Sequence, residues 1–243
     1  MSEGTRTAEG DAPLHVHWLR HERVASHRGD IPLTDEGLKH IKTVGERFKA
    51  VFNDNEVVIL MHTQTRRSRD TALALYESLK SGSEDNRQVE LLAPVEEYAI
   101  RNPDIYVAGR RVEMVSSAEA LVEQLPSTGL SPEQVEQIPF WRRFLVDSDR
   151  VGYWVNHPDP PGENADAVAR RLFTFAASLL ELPRERPQRY IGVTHSPTMR
   201  AFLRHYLLGY DPGEPEYGES IDLELKDSTV IIKYRSSYKN IVL

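Results

Sequence analysis

Cysteine is absent from the 243 residues. Its absence excludes a disulfide framework, a thiolate-held zinc or iron–sulfur site and a cysteine nucleophile. Covalent chemistry would fall to Ser, Thr, Lys, Asp, Glu, Tyr or His. Long apolar runs are missing too, and no stretch approaches the ~18 residues that a membrane-spanning helix needs. The opening MSEGTRTAEGDAP lacks the apolar segment of a signal peptide. Positive charge is in deficit, with 30 Lys and Arg against 37 Asp and Glu and a net charge of −7. Such a chain is a poor general binder of nucleic acid or of anionic membrane. What is present is an ordinary globular mixture, 40% hydrophobic and 28% charged, sufficient for a sizeable core. The expectation is a soluble, cytoplasmic protein with no nucleic-acid or membrane partner, a homodimer being left open.

Residues 1–13 are small and polar and read as a flexible tail, and 14–243 as a single domain. Leu14–His21 is a strand-like run. Leu38, Ile41, Val44, Phe48, Val51 and Phe52 follow helical spacing behind Thr34, a plausible N-cap. Glu56–Met61 is a continuous apolar run, as in a strand covered on both faces. A helix over 68–80 and a strand over 88–95 follow. From 101 to 160 the pattern loosens, although Ser131-Pro132-Glu133-Gln134 carries a capping-box signature. This region has too few apolar residues for a core of its own and is read as an inserted lid, with Trp141 and Trp154 packing it down. Val168, Leu172, Phe175, Leu179 and Leu180 then make one helical stripe. A strand at 189–195, a helix at 198–208 and a hairpin over 220–235 turning near Asp227 complete the chain. Strands alternating with helices predict an α/β fold, with a mainly parallel central sheet, helices on both faces and a C-terminal antiparallel hairpin.

In open parallel sheets ligands bind outside the carboxyl ends of the strands. There the sequence places Arg20-His21, the arginine-rich His62–Asp70 segment, Glu96-Glu97 and His195. Arginine forks and imidazoles together suit a phosphoryl group, whose oxygens take several charge-assisted donors. His15-Val16-His17 has the His-x-His spacing of some metal hydrolases, but Leu19 and Arg20 follow where a metal ligand would be needed. No metal site and no cofactor are expected.

The motifs resemble those of the histidine phosphatase superfamily, the phosphoglycerate-mutase-like fold, in its first branch. That family's Arg-His-Gly strand end reads Arg20-His21-Glu22, and its Pro-Leu-Thr-x-x-Gly helix start reads Pro32-Leu33-Thr34-Asp35-Glu36-Gly37. An arginine four residues before a Thr-Ala pair falls at Arg67, before Thr71-Ala72. Leu-x-Glu is matched by Val95-Glu96-Glu97, Gly-Glu-Ser by Gly162-Glu163-Asn164, and Val-x-Ser-His by Gly192-Val193-Thr194-His195, with Arg200 beyond. The matches run in order over 14–235 and leave 101–160 uncovered.

The resemblance implies a metal-independent phosphomonoesterase acting on a small phosphorylated metabolite. His21 would become a phosphohistidine, and Arg20, Arg67 and His195 would surround the phosphoryl oxygens. Glu97 would serve as acid and then base. Ser196 stands where a variant of the family has an aspartate acid. Glu22 replaces the family glycine and is expected to point outward or to pair with Arg23 or Arg28. His27 stands near the position of a mutase asparagine, so His27 and Arg28 are candidate phosphate contacts. The rival readings are a phosphoglycerate mutase and a phospho-ligand-binding member of the fold without turnover.

Overall fold

The computed structural model describes residues 12–26, 31–81 and 87–243. In chain order, β1 (Leu14–Arg20), α1 (Asp35–Lys49), β2 (Glu56–His62), α2 (Arg66–Lys80) and β3 (Val89–Glu96) come first. Residues 101–160 then hold a small ladder of β4 (Ile105–Val107) and β5 (Arg110–Val112). They also hold the short helices α3 (Ala118–Val122), α4 (Pro132–Gln137), α5 (Pro139–Val146) and α6 (Arg150–Asn156). The scaffold resumes with α7 (Ala165–Ser178), β6 (Gln188–Thr194) and α8 (Ser196–Phe202), which runs on as a π-helical segment to Leu208. It ends with β7 (Ser220–Lys226), β8 (Thr229–Tyr234) and β9 (Ser237–Val242).

The sheet order is β3-β2-β6-β1-β7-β8-β9. The first four are parallel, and β7, β8 and β9 join antiparallel. The C-terminal hairpin is therefore a three-stranded meander. Its last strand is an edge strand with mostly exposed side chains, so no in–out alternation marks it in the sequence. Asp227 takes a left-handed φ of 52° at the β7–β8 turn, a conformation that aspartate tolerates better than most residues.

Period-two alternation on β1 divides the two core layers. Leu14, Val16 and Trp18 join α7, α8 and residues of 101–160 in one cluster. Leu19 joins Ile41, Val44 and Phe48 of α1 and Leu75 and Leu79 of α2 on the opposite face. Trp141 and Trp154 are fully buried in the first cluster, and their indole N–H groups donate to the Tyr106 carbonyl (3.3 Å) and the Glu163 carbonyl (3.0 Å). Both serve to pack 101–160 onto the scaffold.

Local signals explain the helix starts. The Thr34 hydroxyl accepts the Gly37 N–H at 3.1 Å, with Asp35 and Glu36 in the first turn of α1. Ser131 and Gln134 close the capping box of α4. Most of the tail expected over 1–13 lies outside the described residues, but Ala12 and Pro13 are tied down. The Pro13 carbonyl accepts the Gln188 N–H at 2.9 Å, and the Ala12 carbonyl accepts from Arg184 at 3.2 Å. No helix among the described residues is long and apolar enough to cross a membrane.

One feature of the topology matters most for the site. β6 is inserted between β1 and β2, so three neighbouring parallel strands deliver residues 20–21, 62–67 and 194–195 to a single rim.

Candidate active site

His21 leaves the end of β1 almost completely buried. Its backbone is held from two sides: its own N–H donates to the Thr194 carbonyl (3.0 Å), and the Arg20 carbonyl accepts from Gly218 (3.2 Å). The ring Nδ1 lies 2.8 Å from the Glu22 carbonyl. A carbonyl can only accept, so Nδ1 carries the proton and the lone pair of the neutral ring sits on Nε2. The His195 ring centroid is 5.3 Å away and that of Tyr217 is 6.0 Å away.

Arg67 is in the first turn of α2, and a relay fixes that turn against the histidine segment. The Glu22 N–H donates to the Thr71 hydroxyl (2.9 Å), which donates to the Arg67 carbonyl (2.7 Å). The neighbouring Arg66 and Arg69 both turn to Asp70, at 3.2 and 3.8 Å, which separates Arg67 from the solvated pair. His195 follows β6, is buried, and places Nε2 2.9 Å from the Thr63 hydroxyl at the exit of β2. Glu97 starts the turn after β3. Its N–H donates to the His62 carbonyl (2.8 Å), and its Oε1 accepts the Ala99 N–H (2.7 Å). Glu97 is half-buried and Glu96 exposed, the separation expected of strand neighbours. Behind Glu97, the Thr194 and Thr198 hydroxyls donate to the carbonyls of Ile100 and Arg101, at 2.5 and 3.0 Å. Arg171, paired with Glu163 at 3.1 Å, donates to the Ala99 carbonyl (2.6 Å).

Arg20 is buried with its guanidinium 4.2 Å from the centre of the Tyr217 ring. It donates to the Pro215 carbonyl and lies 3.0 Å from Glu214 Oε2. Sequence reasoning missed Glu214, Pro215 and Tyr217. They lie in an irregular acidic loop, and no local pattern points them at a strand end nearly two hundred positions earlier. Arg200, noted only as a motif position, is fully buried and bonded to Asp149, Asp211 and Glu214. Through Asp149, the N-cap of α6, it ties 101–160 to α8. These carboxylates hold its pKa above the usual arginine value against the opposing effect of burial.

Glu22 is the clearest correction. Its side chain is 1% exposed and so does not point outward: Oε1 lies 2.8 Å from His40 Nδ1 on α1, Arg23 adds a backbone hydrogen bond and its charge, and a pairing with Arg28 falls outside the described residues. Burial pushes the Glu22 carboxyl up, and the facing His40 partly opposes that. Room for the carboxylate comes from Gly218 (φ 67°), where a Cβ would sit 2.5 Å from Glu22 Oε1. The candidate contacts His27 and Arg28 lie outside the described residues. His15 and His17 form no metal cluster among the described residues. His17 is instead bonded on both ring nitrogens, to Asp222 (2.7 Å) and Arg189 (2.6 Å).

Residues 15–93 match the family model described as the histidine phosphatase superfamily (branch 1), so the resemblance carried by the motifs stands. None of the curated proteins matches the chain. Among solved structures, it is similar to a phosphoglycerate mutase from Bacillus anthracis str. Sterne, with a TM-score of 0.53, 12% identity, and 93% of this chain and 94% of that one covered. It is also similar to a mycobacterial glucosyl-3-phosphoglycerate phosphatase, with a TM-score of 0.51, 15% identity and coverage of 94% and 97%. A chain described as mycobacterial hydrolase 1 gives a TM-score of 0.50 at 16% identity, covering 94% and 96%. At these identities the likeness establishes a shared fold: an α/β architecture with a mostly parallel sheet and antiparallel C-terminal strands.

Proposed function

We propose that this protein is a phosphomonoester hydrolase working through a phosphohistidine on His21. The observation that carries the reading is the fixed tautomer of a buried histidine at the rim. The Nδ1–H is committed to the Glu22 carbonyl, so the nucleophilic lone pair is on Nε2. Nε2 attacks phosphorus, the bond from phosphorus to the ester oxygen breaks, and Glu97 gives its proton to the leaving alkoxide. Glu97 then takes a proton from water, which attacks the phosphohistidine, releases inorganic phosphate and restores His21. Arg20, Arg67 and His195 stabilise the charge spread over the phosphoryl oxygens. Residues 101–160 form the wall over the leaving group and select the alcohol.

The test is hydrolysis of p-nitrophenyl phosphate in excess EDTA by the wild type and by His21→Ala, with a rapid quench to capture phosphoprotein. Turnover that survives EDTA, falls by at least ~10³ in the variant and passes through an acid-labile, base-stable phosphoprotein supports the reading. Unimpaired turnover in His21→Ala, or no turnover by folded wild type, overturns it.

A further inference from the structure

Beyond Glu214, the partner of Arg20, lies a cavity of about 370 Å³, within the usual range for small-molecule sites. Glu214 joins the two: it lines the cavity, and its Oε2 is 3.0 Å from Arg20 Nη2. Ser26, five positions beyond His21, lines the same space. Most of the remaining wall comes from 101–160, with the hydroxyl-bearing Ser116 and Ser148 beside the apolar Phe144 and Val151.

The charges around the cavity are already matched to one another. Glu214 spans both buried arginines, with Oε1 3.2 Å from Arg200 Nη1 and Oε2 on Arg20. Arg200 also takes both oxygens of Asp149, at 2.8 and 2.6 Å. Arg150, the cation among the described lining residues, directs Nε and Nη2 to the Leu145 carbonyl at 3.3 and 3.2 Å. The carboxylate side chains of Glu214 and Asp149 are 47% and 51% exposed where they line the space. A second anion on the substrate would meet two carboxylates there, with the buried Arg200 already bonded to both of them.

Resting on the phosphatase reading, we propose that this cavity takes the substrate's alcohol and that Glu214 bars alcohols carrying a second anion. The substrate class is then phosphomonoesters of neutral or amino-bearing hydroxylated alcohols. Glu214 acts as a specificity residue, presenting a carboxylate to the cavity while it pairs with Arg200 behind it.

The experiment compares kcat/KM for glycerol 1-phosphate and 3-phosphoglycerate, two esters of similar size that differ in a carboxylate, in wild type and Glu214→Gln. The wild type is expected to favour glycerol 1-phosphate by at least ~10-fold, and the variant to narrow that ratio about tenfold, chiefly through KM for the acidic ester. A wild-type preference for 3-phosphoglycerate, or an unchanged ratio in the variant, overturns the proposal. Calorimetric titration of the same esters into His21→Ala, with and without Glu214→Gln, reads the preference without turnover. The hydrolase reading can thus fail in the first assay while the binding preference still stands or falls in the second. Equal binding of the two esters, or binding of neither, sinks the proposal.

Discussion

His17 and His21 lie four positions apart on β1 and its exit, yet the fold employs them differently. His17 sits inside the sheet, with Asp222 on one ring nitrogen and Arg189 on the other, and Arg189 continues to Glu56 at 3.2 Å. Burial holds its pKa below the usual histidine value despite the Asp222 carboxylate. His21 lies past the strand end, gives Nδ1 to a backbone carbonyl, and faces His195 and Tyr217. A histidine clamped on both nitrogens by charged partners inside a sheet has no lone pair to spend and serves structure. One oriented by a backbone carbonyl at the carboxyl end of a strand stands where ligands bind in such sheets, which fits the chemistry proposed for it.

The sharpest break of that comparison pairs two alanine variants. His21→Ala should lose at least ~10³ in turnover while remaining folded, whereas His17→Ala should lower thermal stability and keep turnover per folded molecule within about threefold. Comparable activity losses in the two would erase the distinction.

Glu97→Gln comes next, at ~10²–10⁴ on alkyl phosphates and distinctly less on p-nitrophenyl phosphate, whose leaving group hardly needs a proton. Equal losses on both substrates would remove Glu97 as the acid.

On the structural side, Arg189→Ala should cost about 3–5 kcal/mol by urea denaturation, because Glu56 is fully buried and would lose its cation. A loss under 1 kcal/mol would show that the Asn53 hydrogen bonds to Glu56, at 2.8 and 3.2 Å, suffice.

Acid should weaken this network. Burial, with Arg189 and His17 nearby, holds His15 at about 4 against 6.5 for the free side chain, and His17 shifts the same way. Between those values the unfolded chain binds more protons, so stability is full above about pH 6.5. It should then fall as pH drops toward about 4. The melting temperature followed from pH 7.5 to 4.5 should decline, and His15→Asn should flatten the decline; a flat wild-type profile would contradict the assignment.

The smallest effect belongs to Glu22. Since its carboxylate is turned to His40 while its backbone carbonyl orients His21, Glu22→Ala should lower kcat several-fold with little change in KM for phosphate esters. A gain in activity would mean that the carboxylate repels phosphate after all.

Much of the scaffold was legible because its signals are local. Thr34 and Ser131 cap helices through contacts three residues away, and β2 and β6 are continuous apolar runs. The order of motifs singled out His21, Arg67, Glu97 and His195 as candidates, and the sheet order brings the segments of His21, Arg67 and His195 to one rim. β9 was illegible because an exposed edge strand has no burial pattern. The outward direction expected of Glu22 failed because its partner His40 borders the buried side of α1, a polar position that apolar spacing does not mark.

By itself, the sequence determined that the chemistry could not use cysteine, that helices start behind Thr34 and Ser131, and that His21 and His195 stand at strand ends, since each follows from composition or from neighbours within a turn. The tertiary structure alone decided which of those groups are held by ions and which are turned to the rim. It pairs Glu22 with His40, clamps His17 between Asp222 and Arg189, and sets Glu214 across Arg20 and Arg200. Electrostatic partnership depends on distance in space, and Arg20 meets Pro215 from 195 positions away. No periodicity in a chain encodes a contact of that range; the insertion of β6 beside β1 and the return of the chain through 209–219 create it.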